Sequence, residues 1–377
     1  MVTWPVVPHL KPFRALRYDP GTVGPLDAVV SPPHDVITPD RREALVTASP
    51  YNAVRLLSPE SPDEAARLVR AWRDEGVLVR EDEPAVWVLE ESFPGVDGGT
   101  RRRRGLVGRV ELTPYSAGQV LPHERTFERQ KDARLELLRA VRTKLSPIFL
   151  VHEGATPAIP GRDPDMEATL DGVTTRLWRI TGEDAIAEAL GRIAGRLLIA
   201  DGHHRYETAL AFHQEDGTEE TGYVLAALVS RDDDGLEILP THRLVSGEVP
   251  ELDGSFRLTN VEASADAGSA ALAGVSRDHP AFVVLRNDSA QLAEGEGSEL
   301  DTAVIDRLPL RDVRYTPSAV AAEEAVRGGR AEAAFLVRAP TMEQVVEVAS
   351  AGELLPEKTT YFFPKLTSGL VFAPFDE

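Results

Sequence analysis

The chain has 377 residues, of which 42% are apolar and 27% are charged, a composition typical of a globular protein with two or three domains. Its formal net charge of −20 argues against a general nucleic-acid-binding surface, because phosphate backbones favour a basic face. Cysteine is absent from the sequence, which excludes disulfides, thiolate catalysis and Cys-ligated metal sites. The first residues lack a signal-peptide pattern and no apolar run reaches the length of a membrane span, so we expect a cytoplasmic protein without membrane contact.

The first part of the chain is predicted to lead into a rigid loop. Residues 26–30 form a short apolar run that predicts a strand. In the sequence Ser-Pro-Pro-His-Asp at 31–35, two prolines fix an extended backbone, and rigid loops at strand ends often carry functional side chains. His34 and Asp35 are therefore candidates, although a stiff connector explains the same residues equally well. Thr38 then predicts the N-cap of a helix that has proline at its first position.

The next segment predicts a helix and a hairpin. Ser61, followed by a proline and two acidic residues, is typical of a helix N-terminus. Residues 85–93 and 104–112 predict two strands joined by a turn-rich loop. The arginines at 101–104 lie at this loop, and on so acidic a chain they indicate a solvated edge rather than a nucleic-acid site.

A second polar loop precedes a predicted long helix. Residues 120–127 contain His123, Glu124 and Thr126. Glu124 is a candidate general base or metal ligand, because adjacent carboxylate and imidazole groups can act on one proton or one Mg²⁺. On spacing alone, a helix cap explains Glu124 equally well. Residues 147–151, which follow the helix, predict a buried strand.

The most informative stretch is residues 197–210. Its apolar start predicts a buried strand, its Asp-Gly sequence a tight turn, and the residues from His203 onward a helix. The free N–H groups and the dipole of a helix N-terminus attract anions, so a phosphate or carboxylate site is predicted here. A purely structural role is the alternative to this anion site. In that case the aspartate caps the helix, charged residues within the stretch pair with one another, and one histidine is buried in the core. The residues of the predicted site are Asp201, Gly202, His203, His204 and Arg205.

The C-terminal half continues with alternating strands and helices. Strands are predicted at 223–230 and at 236–240, the second as an arm of a hairpin that ends at His242 and Arg243, which are further site candidates. Residues 245–300 have weak periodicity and predict a peripheral excursion that carries little chemistry. Beyond this excursion, the pattern predicts helices at 301–308, 319–326 and 341–349 and a strand at 334–337.

The last unusual stretch is residues 358–370. Lys358 and Lys365 flank an aromatic triplet within it, and hydroxyl-bearing residues surround both lysines. The two ammonium groups are candidate anion contacts. A final strand with solvated lysines explains the same sequence equally well.

Four of these stretches together resemble a known family. In their order, 31–37, 123–126, 201–210 and 358–370 resemble the bacterial and archaeal family catalogued as a domain of unknown function and labelled ParB-like. The Asp-Gly-His-His-Arg sequence at 201–205 is also similar to the phosphate-binding motif of the ParB/sulfiredoxin superfamily, which includes free-serine kinases, sulfiredoxins and CTP-hydrolysing partition proteins. The resemblance implies an α+β (mixed α/β) fold, with a ParB/sulfiredoxin-like core and additional α/β regions. It further implies that residues 202–205 hold nucleotide phosphates.

Two members of that superfamily fit this sequence poorly. Sulfiredoxin activity needs a reactive cysteine, which this chain lacks. Partition proteins need a DNA-binding helical domain, and the acidic balance and the lack of a helix-turn-helix pattern argue against one. We therefore expect a free-serine-kinase-like phosphotransferase that uses ATP or ADP with Mg²⁺ and phosphorylates an alcohol group on a small metabolite, without a nucleic-acid partner.

The hypothesis gives each candidate residue a role. A nucleotide-binding regulator without transferase activity and a metal-dependent hydrolase are the alternatives. The catalytic candidates are Glu124, chosen by its chemistry, with His123 and Asp35. The phosphate and nucleotide contacts are Asp201, Gly202, His203, His204, Arg205, Lys358 and Lys365, and the substrate contacts are His34, Thr126, His242 and Arg243. The expected domains are an N-terminal α/β part at 1–150 and a C-terminal part at 151–377 that carries the motif, with the site between them.

Overall fold

The structure is a computed structural model that describes residues 7–95, 98–252 and 254–376. Its helices, in chain order, are α1 Pro20–Val23, α2 Pro39–Ala48, α3 Val54–Leu57, α4 Pro62–Asp74, α5 Glu128–Val141, α6 Glu183–Leu190, α7 His203–Asp216, α8 Ala265–Ala273, α9 Asp301–Ile305, α10 Ala319–Arg327 and α11 Met342–Ser350. In the described part of the chain, no helix is long and apolar enough to cross a membrane.

The strands of the described residues make up two large sheets and three strand pairs. In chain order they are β1 Leu10–Lys11, β2 Leu16–Tyr18, β3 Leu78–Arg80, β4 Val86–Pro94, β5 Thr100–Glu111, β6 Val120–Leu121, β7 Thr143–Lys144, β8 Ile148–His152, β9 Met166–Leu170, β10 Val173–Ile180, β11 Leu197–Asp201, β12 Tyr223–Ser230, β13 Glu237–Leu239, β14 His242–Val245, β15 Arg257–Val261, β16 Ala281–Leu285, β17 Ala290–Glu294, β18 Val313–Thr316, β19 Ala333–Val337, β20 Tyr361–Phe363 and β21 Ala373–Pro374.

The chain divides into two compact units. Unit 1 comprises Met1–Leu236 and Pro364–Glu377, and unit 2 comprises Glu237–Phe363. These bounds differ from the expected parts at 1–150 and 151–377. Residue 150 lies in β8, which is hydrogen-bonded to β11 on one side and β12 on the other, so the backbone ladders continue across the expected boundary. Residues 245–300 belong to unit 2 and supply three strands of its sheet.

Unit 1 is built on a mixed sheet. Its main path runs β6-β11-β8-β12-β5-β4-β10-β9, and β1 pairs with β5 at one side. The β11–β6 and β12–β8 pairs are parallel, while the other pairs in the sheet are antiparallel. Apolar residues of the central strands pack with Tyr206 and Ala209 of α7 to form the core. This mixed arrangement of strands and helices confirms the expected α+β (mixed α/β) fold class.

Local signals in unit 1 predict several elements correctly. Thr38 and Ser61 cap α2 and α4 through their side-chain oxygens, as expected. The predicted hairpin is the β4–β5 pair, although residues 96–97 of its loop lie outside the described residues. The strand expected at 26–30 is wrong, because Leu26–Ala28 is a 3₁₀ turn. The side-chain amide of Asn52 donates to the carbonyls of residues 28 and 30, and these bonds satisfy backbone groups that a strand would pair with a neighbour.

The arginine run at 101–104 is not the uniformly solvated edge that its charge predicts. The side chain of Arg103 is fully buried and donates to the buried carboxylate of Glu91 at 2.6 Å. It also donates to the carbonyl of Pro364 at 2.8 Å. Burial raises the pKa of Glu91, although the adjacent guanidinium acts to lower it. The alternation of side chains along β5 turns this arginine inward, whereas Arg102 is exposed.

Unit 2 contains a second sheet with the order β15-β17-β16-β19-β14-β18. Apolar residues of α8 and α10 pack on one cluster of its side chains. The expected hairpin between 223–230 and 236–240 is wrong, since β13 pairs antiparallel with β20 instead. The helices and strand expected between 301 and 349 correspond to α9, α10, β19 and α11.

Candidate functional site

A strand–turn–helix unit in unit 1 forms the base of the site, as the sequence predicts. Strand β11 ends at Asp201, Gly202 has φ 99°, and α7 begins at His203. The pairing of β11 with β8 shifts register between Ile199 and Asp201, and such irregularities re-aim a side chain at a strand end. A Cβ added to Gly202 would lie 2.8 Å from Ile148 Cγ2. Both the positive φ and this close approach therefore require glycine at the turn.

Asp201 holds two cations beside this turn. Lys365 Nζ donates to its Oδ1, and Arg205 donates to its Oδ2 at 2.5 Å. Burial alone would raise the pKa of Asp201, but Lys365 and Arg205 hold it below its usual range. Arg205 is fixed further by a bond to Ser146 Oγ at 3.1 Å and by one to the carbonyl of Pro147. The carboxylate thus orients the cations, and its charge makes it a poor direct partner for a phosphate.

The N-terminus of α7 lies at the same place and has no side-chain cap. Gly202 occupies the N-cap position and has no side chain with which to bind the first N–H groups. Hydroxyl side chains cap α2, α4, α8, α10 and α11, whereas α3, α5, α6 and α9 lack a side-chain cap as α7 does. An uncapped helix start next to Arg205 and Lys365 combines the positive end of the helix dipole with two formal positive charges. This arrangement suits a phosphate group.

The first histidine of the motif contacts the loop that carries Glu124. The backbone N–H of His123 donates to His203 Nε2 at 3.2 Å, so the proton of the neutral His203 ring is assigned to Nδ1. That Nδ1 lies 3.6 Å from Glu124 Oε2. Burial, followed by the neighbouring His123, lowers the pKa of His203 well below its usual value. Burial lowers the pKa of His123 to about 3. Both rings are therefore neutral near pH 7, and the side chain of Glu124 beside His203 is 30% exposed.

Two further bonds fix the same loop to α7. The backbone N–H of Phe127 donates to His204 Nε2 at 3.0 Å, and the two rings stack with centroids 6.1 Å apart. Thr126 Oγ1 donates to Glu207 Oε2 at 2.7 Å. Hydrogen bonds to His203, His204 and Glu207 of α7 thus hold residues 123–127 in place. They limit the positions that the Glu124 carboxylate can occupy.

Lys365 interacts electrostatically with both the Pro-Pro-His-Asp loop and the His-Glu loop. Burial acts to lower the pKa of this ammonium, but nearby carboxylates outweigh the burial and raise that pKa. The carboxylates are those of Asp201, Asp35 and Glu124, in that order of effect. Lys365 is therefore charged at neutral pH. The Pro-Pro-His-Asp loop and the His-Glu loop both bring a carboxylate into its field.

His34 lies at a cavity next to the motif. It begins the 3₁₀ turn His34–Val36 and lines the cavity with Arg134, Ser146 and Arg205. Burial, with the charges of Arg134 and Arg205, lowers the pKa of His34 to about 2. The ring is therefore neutral and can donate or accept a hydrogen bond without adding charge.

Comparison with known proteins identifies the family of the chain. Residues 10–314 match the family described as a protein of unknown function, DUF1015. The chain belongs to the DUF1015 family. This confirms the expected membership in a family of unknown function, while the ParB-like label stays a prediction. None of the curated proteins matches the chain.

The solved structures that are similar to this DUF1015 protein have low sequence identity to it. A conserved hypothetical protein from Pyrococcus furiosus is 18% identical with a TM-score of 0.40, covering 70% of this chain and 94% of that chain. A free serine kinase in complex with AMP is 20% identical with a TM-score of 0.39, covering 67% and 86%. SbnI with a C-terminal truncation, from Staphylococcus aureus, is 10% identical with a TM-score of 0.35, covering 71% and 87%.

The structure brings together most of the predicted site residues, but three belong to unit 2. His242 Nδ1 accepts the backbone N–H of Val337 at 3.1 Å. The Arg243 side chain is buried and donates to the carbonyl of Thr241 at 2.6 Å. Lys358 is exposed and has φ 51°. These bonds hold His242 and Arg243 within unit 2, and the ligand contacts expected of the three residues stay predictions.

Several contacts in unit 1 were not predicted from the sequence. Ser146 fixes Arg205, and Glu207 fixes Thr126. The spacing of Glu207 from His203 on a helix is a usable signal, because residues four apart share a face. Ser146 carries no such signal, since only the pairing of β8 with β11 brings it near α7. Among the described residues, no three side chains of the His, Asp or Glu type converge as a metal-binding group.

Proposed function

We propose that this chain is a nucleotide-dependent phosphotransferase that moves the terminal phosphoryl group of ATP or ADP to a hydroxyl of a small metabolite. The observation that carries the proposal is the placement of Arg205 and Lys365 on Asp201 beside the uncapped start of α7. Phosphoryl transfer depends mainly on positioning and on charge neutralisation, which this arrangement supplies. Glu124 on the adjoining loop provides the carboxylate that the acceptor side needs.

The phosphate side of the proposed site is cationic and fixed in place. The first N–H groups of α7 would bind the phosphate oxygens, with Arg205 and Lys365 neutralising their charge. Asp201 cancels one of the two side-chain charges, so Asp201, Arg205 and Lys365 together carry one positive charge before the helix dipole is counted. The carboxylates of Asp35 and Glu124 also act on Lys365. The bonds of Arg205 to Ser146 and to Asp201 fix its guanidinium before a ligand arrives, which reduces the entropy lost on binding.

The acceptor side depends on Glu124. As the acceptor oxygen forms its bond to phosphorus and the bond from phosphorus to the bridging oxygen of the nucleotide breaks, Glu124 takes the hydroxyl proton. The Nδ1 of His203 lies 3.6 Å from Glu124 Oε2, and its N–H dipole faces this carboxylate. Mg²⁺ commonly binds one or two protein carboxylates together with phosphate oxygens. Asp35 is exposed and its carboxylate acts on Lys365, so Asp35 would hold a Mg²⁺ ion there. The bound ion would offset part of the phosphate charge.

Nucleotide binding is the first test. Isothermal titration with ATP and with ADP, each with Mg²⁺, should show saturable binding by the full chain. Arg205→Met should weaken it by about 10- to 100-fold, the usual effect of a lost charged hydrogen bond. Arg139→Met is the matched control, because Arg139 lies on α5 and forms an exposed ion pair with Glu215 of α7. Absence of binding at millimolar nucleotide would overturn the proposal.

Transfer to an acceptor is the second test. A screen of hydroxylated amino acids and sugars with labelled nucleotide should yield a phosphorylated product with the wild-type chain. Glu124→Gln should keep nucleotide affinity and lose most of the transfer. Nucleotide binding without a product from any acceptor would instead favour a regulator that binds nucleotide without transferring phosphate.

A further inference from the structure

A cavity in unit 1 has features that the proposed phosphotransfer does not use. It offers about 70 Å³ of space, several times the ~10–15 Å³ that a single water needs. Helix α5 and the segment 143–146 supply much of its wall. Most of the wall is apolar and consists of Leu57, Leu137, Leu138, Val141, Leu145 and Val224.

The polar part of the wall is cationic. Arg134, Lys144 and Arg205 all line the cavity, and the described lining residues include no aspartate or glutamate. Arg134 donates to the carbonyl of Leu57 at 2.7 Å, and Arg205 is bonded to Asp201. Lys144 has no comparable anionic partner among the lining residues.

Two buried polar atoms of the wall have no hydrogen-bond partner in the described structure. They are Lys144 Nζ and Thr208 Oγ1, on residues that are only 7% and 3% exposed. The ammonium lies 5.0 Å from the centroid of the Phe375 ring, which offsets only part of its lost hydration. Native proteins rarely leave such groups unsatisfied without a functional reason, because each costs about 1–3 kcal/mol, and more when charged. A ligand with a matching acceptor would satisfy both atoms.

We propose that this cavity binds a small carboxylate with an aliphatic or aromatic body. Its carboxylate would accept hydrogen bonds from Lys144 Nζ and Thr208 Oγ1, and its body would pack on the leucines of α5. Two oxygens match the two unsatisfied donors. A phosphate carries more charge and more oxygens than these two donors can satisfy, and the nearby Arg134 and Arg205 are already bonded to Leu57 and Asp201. The site is independent of the proposed phosphotransfer, although Arg205 lines both.

Binding to this site should consume protons near neutral pH. Burial, followed by the charge of Arg109 on β5, lowers the pKa of Lys144 to about 7. The other titratable groups that line the cavity are Arg134, Arg205 and the neutral His34, and none supplies a negative charge. A bound carboxylate would raise the pKa of Lys144, so its binding should take up part of a proton at pH 7–8.

The test titrates the full chain, without nucleotide, with 4-methylpentanoate and with phenylacetate. The neutral amide of each acid and inorganic phosphate serve as comparison ligands. Lys144→Met should weaken carboxylate binding by about 10- to 100-fold and Thr208→Val by about 2- to 10-fold. Lys131→Met is the control, since Lys131 lies on α5 but pairs with Glu128 and Glu207 away from the cavity wall.

The calorimetric signal should also depend on the ionisation enthalpy of the buffer, in the direction of proton uptake, and Lys144→Met should abolish this dependence. Equal affinity for acid and amide, unchanged carboxylate binding by Lys144→Met, or Lys144-dependent binding of phosphate alone would each overturn the inference. So would the absence of carboxylate binding at millimolar concentration. Because no nucleotide is present, these outcomes do not depend on whether the chain transfers phosphate.

Discussion

Replacement of Lys144 by methionine should change how the stability of unit 1 depends on pH. Lys144 is 7% exposed, its Nζ has no hydrogen-bond partner in the described structure, and burial lowers its pKa to about 7. In the unfolded chain the same ammonium has its ordinary value of 10.5. Between these two pH values the unfolded state binds more protons than the folded state, so stability rises with pH. The stabilisation that comes from this difference in the pKa of Lys144 is fully present above pH 10.5 and is lost as the pH falls towards 7.

The size of the effect follows from the two pKa values. Each unit of difference corresponds to about 1.4 kcal/mol, so the shift from 10.5 to about 7 gives a limit of roughly 5 kcal/mol over the whole range. At pH 7 the folded lysine is already about half neutral, so the expected gain in the free energy of unfolding between pH 7 and pH 10 is roughly 3.5 kcal/mol. Methionine has a similar shape and no charge, so Lys144→Met should lack this gain. At pH 7 the variant should be the more stable protein.

Urea unfolding followed by tryptophan fluorescence measures this pH dependence, because Trp72, Trp87 and Trp178 lie in unit 1. The quantity to compare is the difference in free energy of unfolding between wild type and variant at pH 7, 8, 9 and 10, since other titrating groups are common to both. Lys131→Met should not reproduce the trend, because carboxylate partners raise the pKa of Lys131. A difference that is independent of pH would refute the reasoning.

Three further substitutions test the turn, the buried ion pair and the carboxylate. Gly202→Ala should cost roughly 1–3 kcal/mol. It should cost more than Gly217→Ala, which shares the positive φ but has open space at its Cβ; equal losses in urea unfolding would contradict the close contact with Ile148. Arg103→Met leaves the carboxylate of Glu91 buried without its partner and should cost roughly 3–5 kcal/mol, whereas the double variant with Glu91→Leu should recover most of this. Glu124→Gln should reduce phosphoryl transfer by about 10²- to 10⁴-fold with unchanged nucleotide affinity, measured by product formation and calorimetry; undiminished transfer would rule out Glu124 as the base.

Short-range signals predicted the elements that depend on neighbouring residues. The N-caps at Thr38 and Ser61 and the turn at Gly202 each follow from one residue and its neighbours, and the structure confirms them. The strand expected at 26–30 fails because Asn52, more than twenty residues away, satisfies the backbone there. Arg103 is misjudged for a similar reason, since its buried partner Glu91 lies on the paired strand. The errors thus fall where a distant side chain decides the outcome.

The histidines of the motif show the same division at the candidate site. Their position at a helix start is local information, and it predicts an anion site at α7. Their Nε2 atoms, however, accept N–H groups of the loop at 123–127, which no spacing in the sequence indicates. This pairing links the two motifs, because the imidazoles that border the phosphate side also fix the loop that carries Glu124. Replacing either histidine should therefore displace the carboxylate as well as alter the anion site, and a transfer defect in such a variant would not by itself show that the imidazole contacts phosphate.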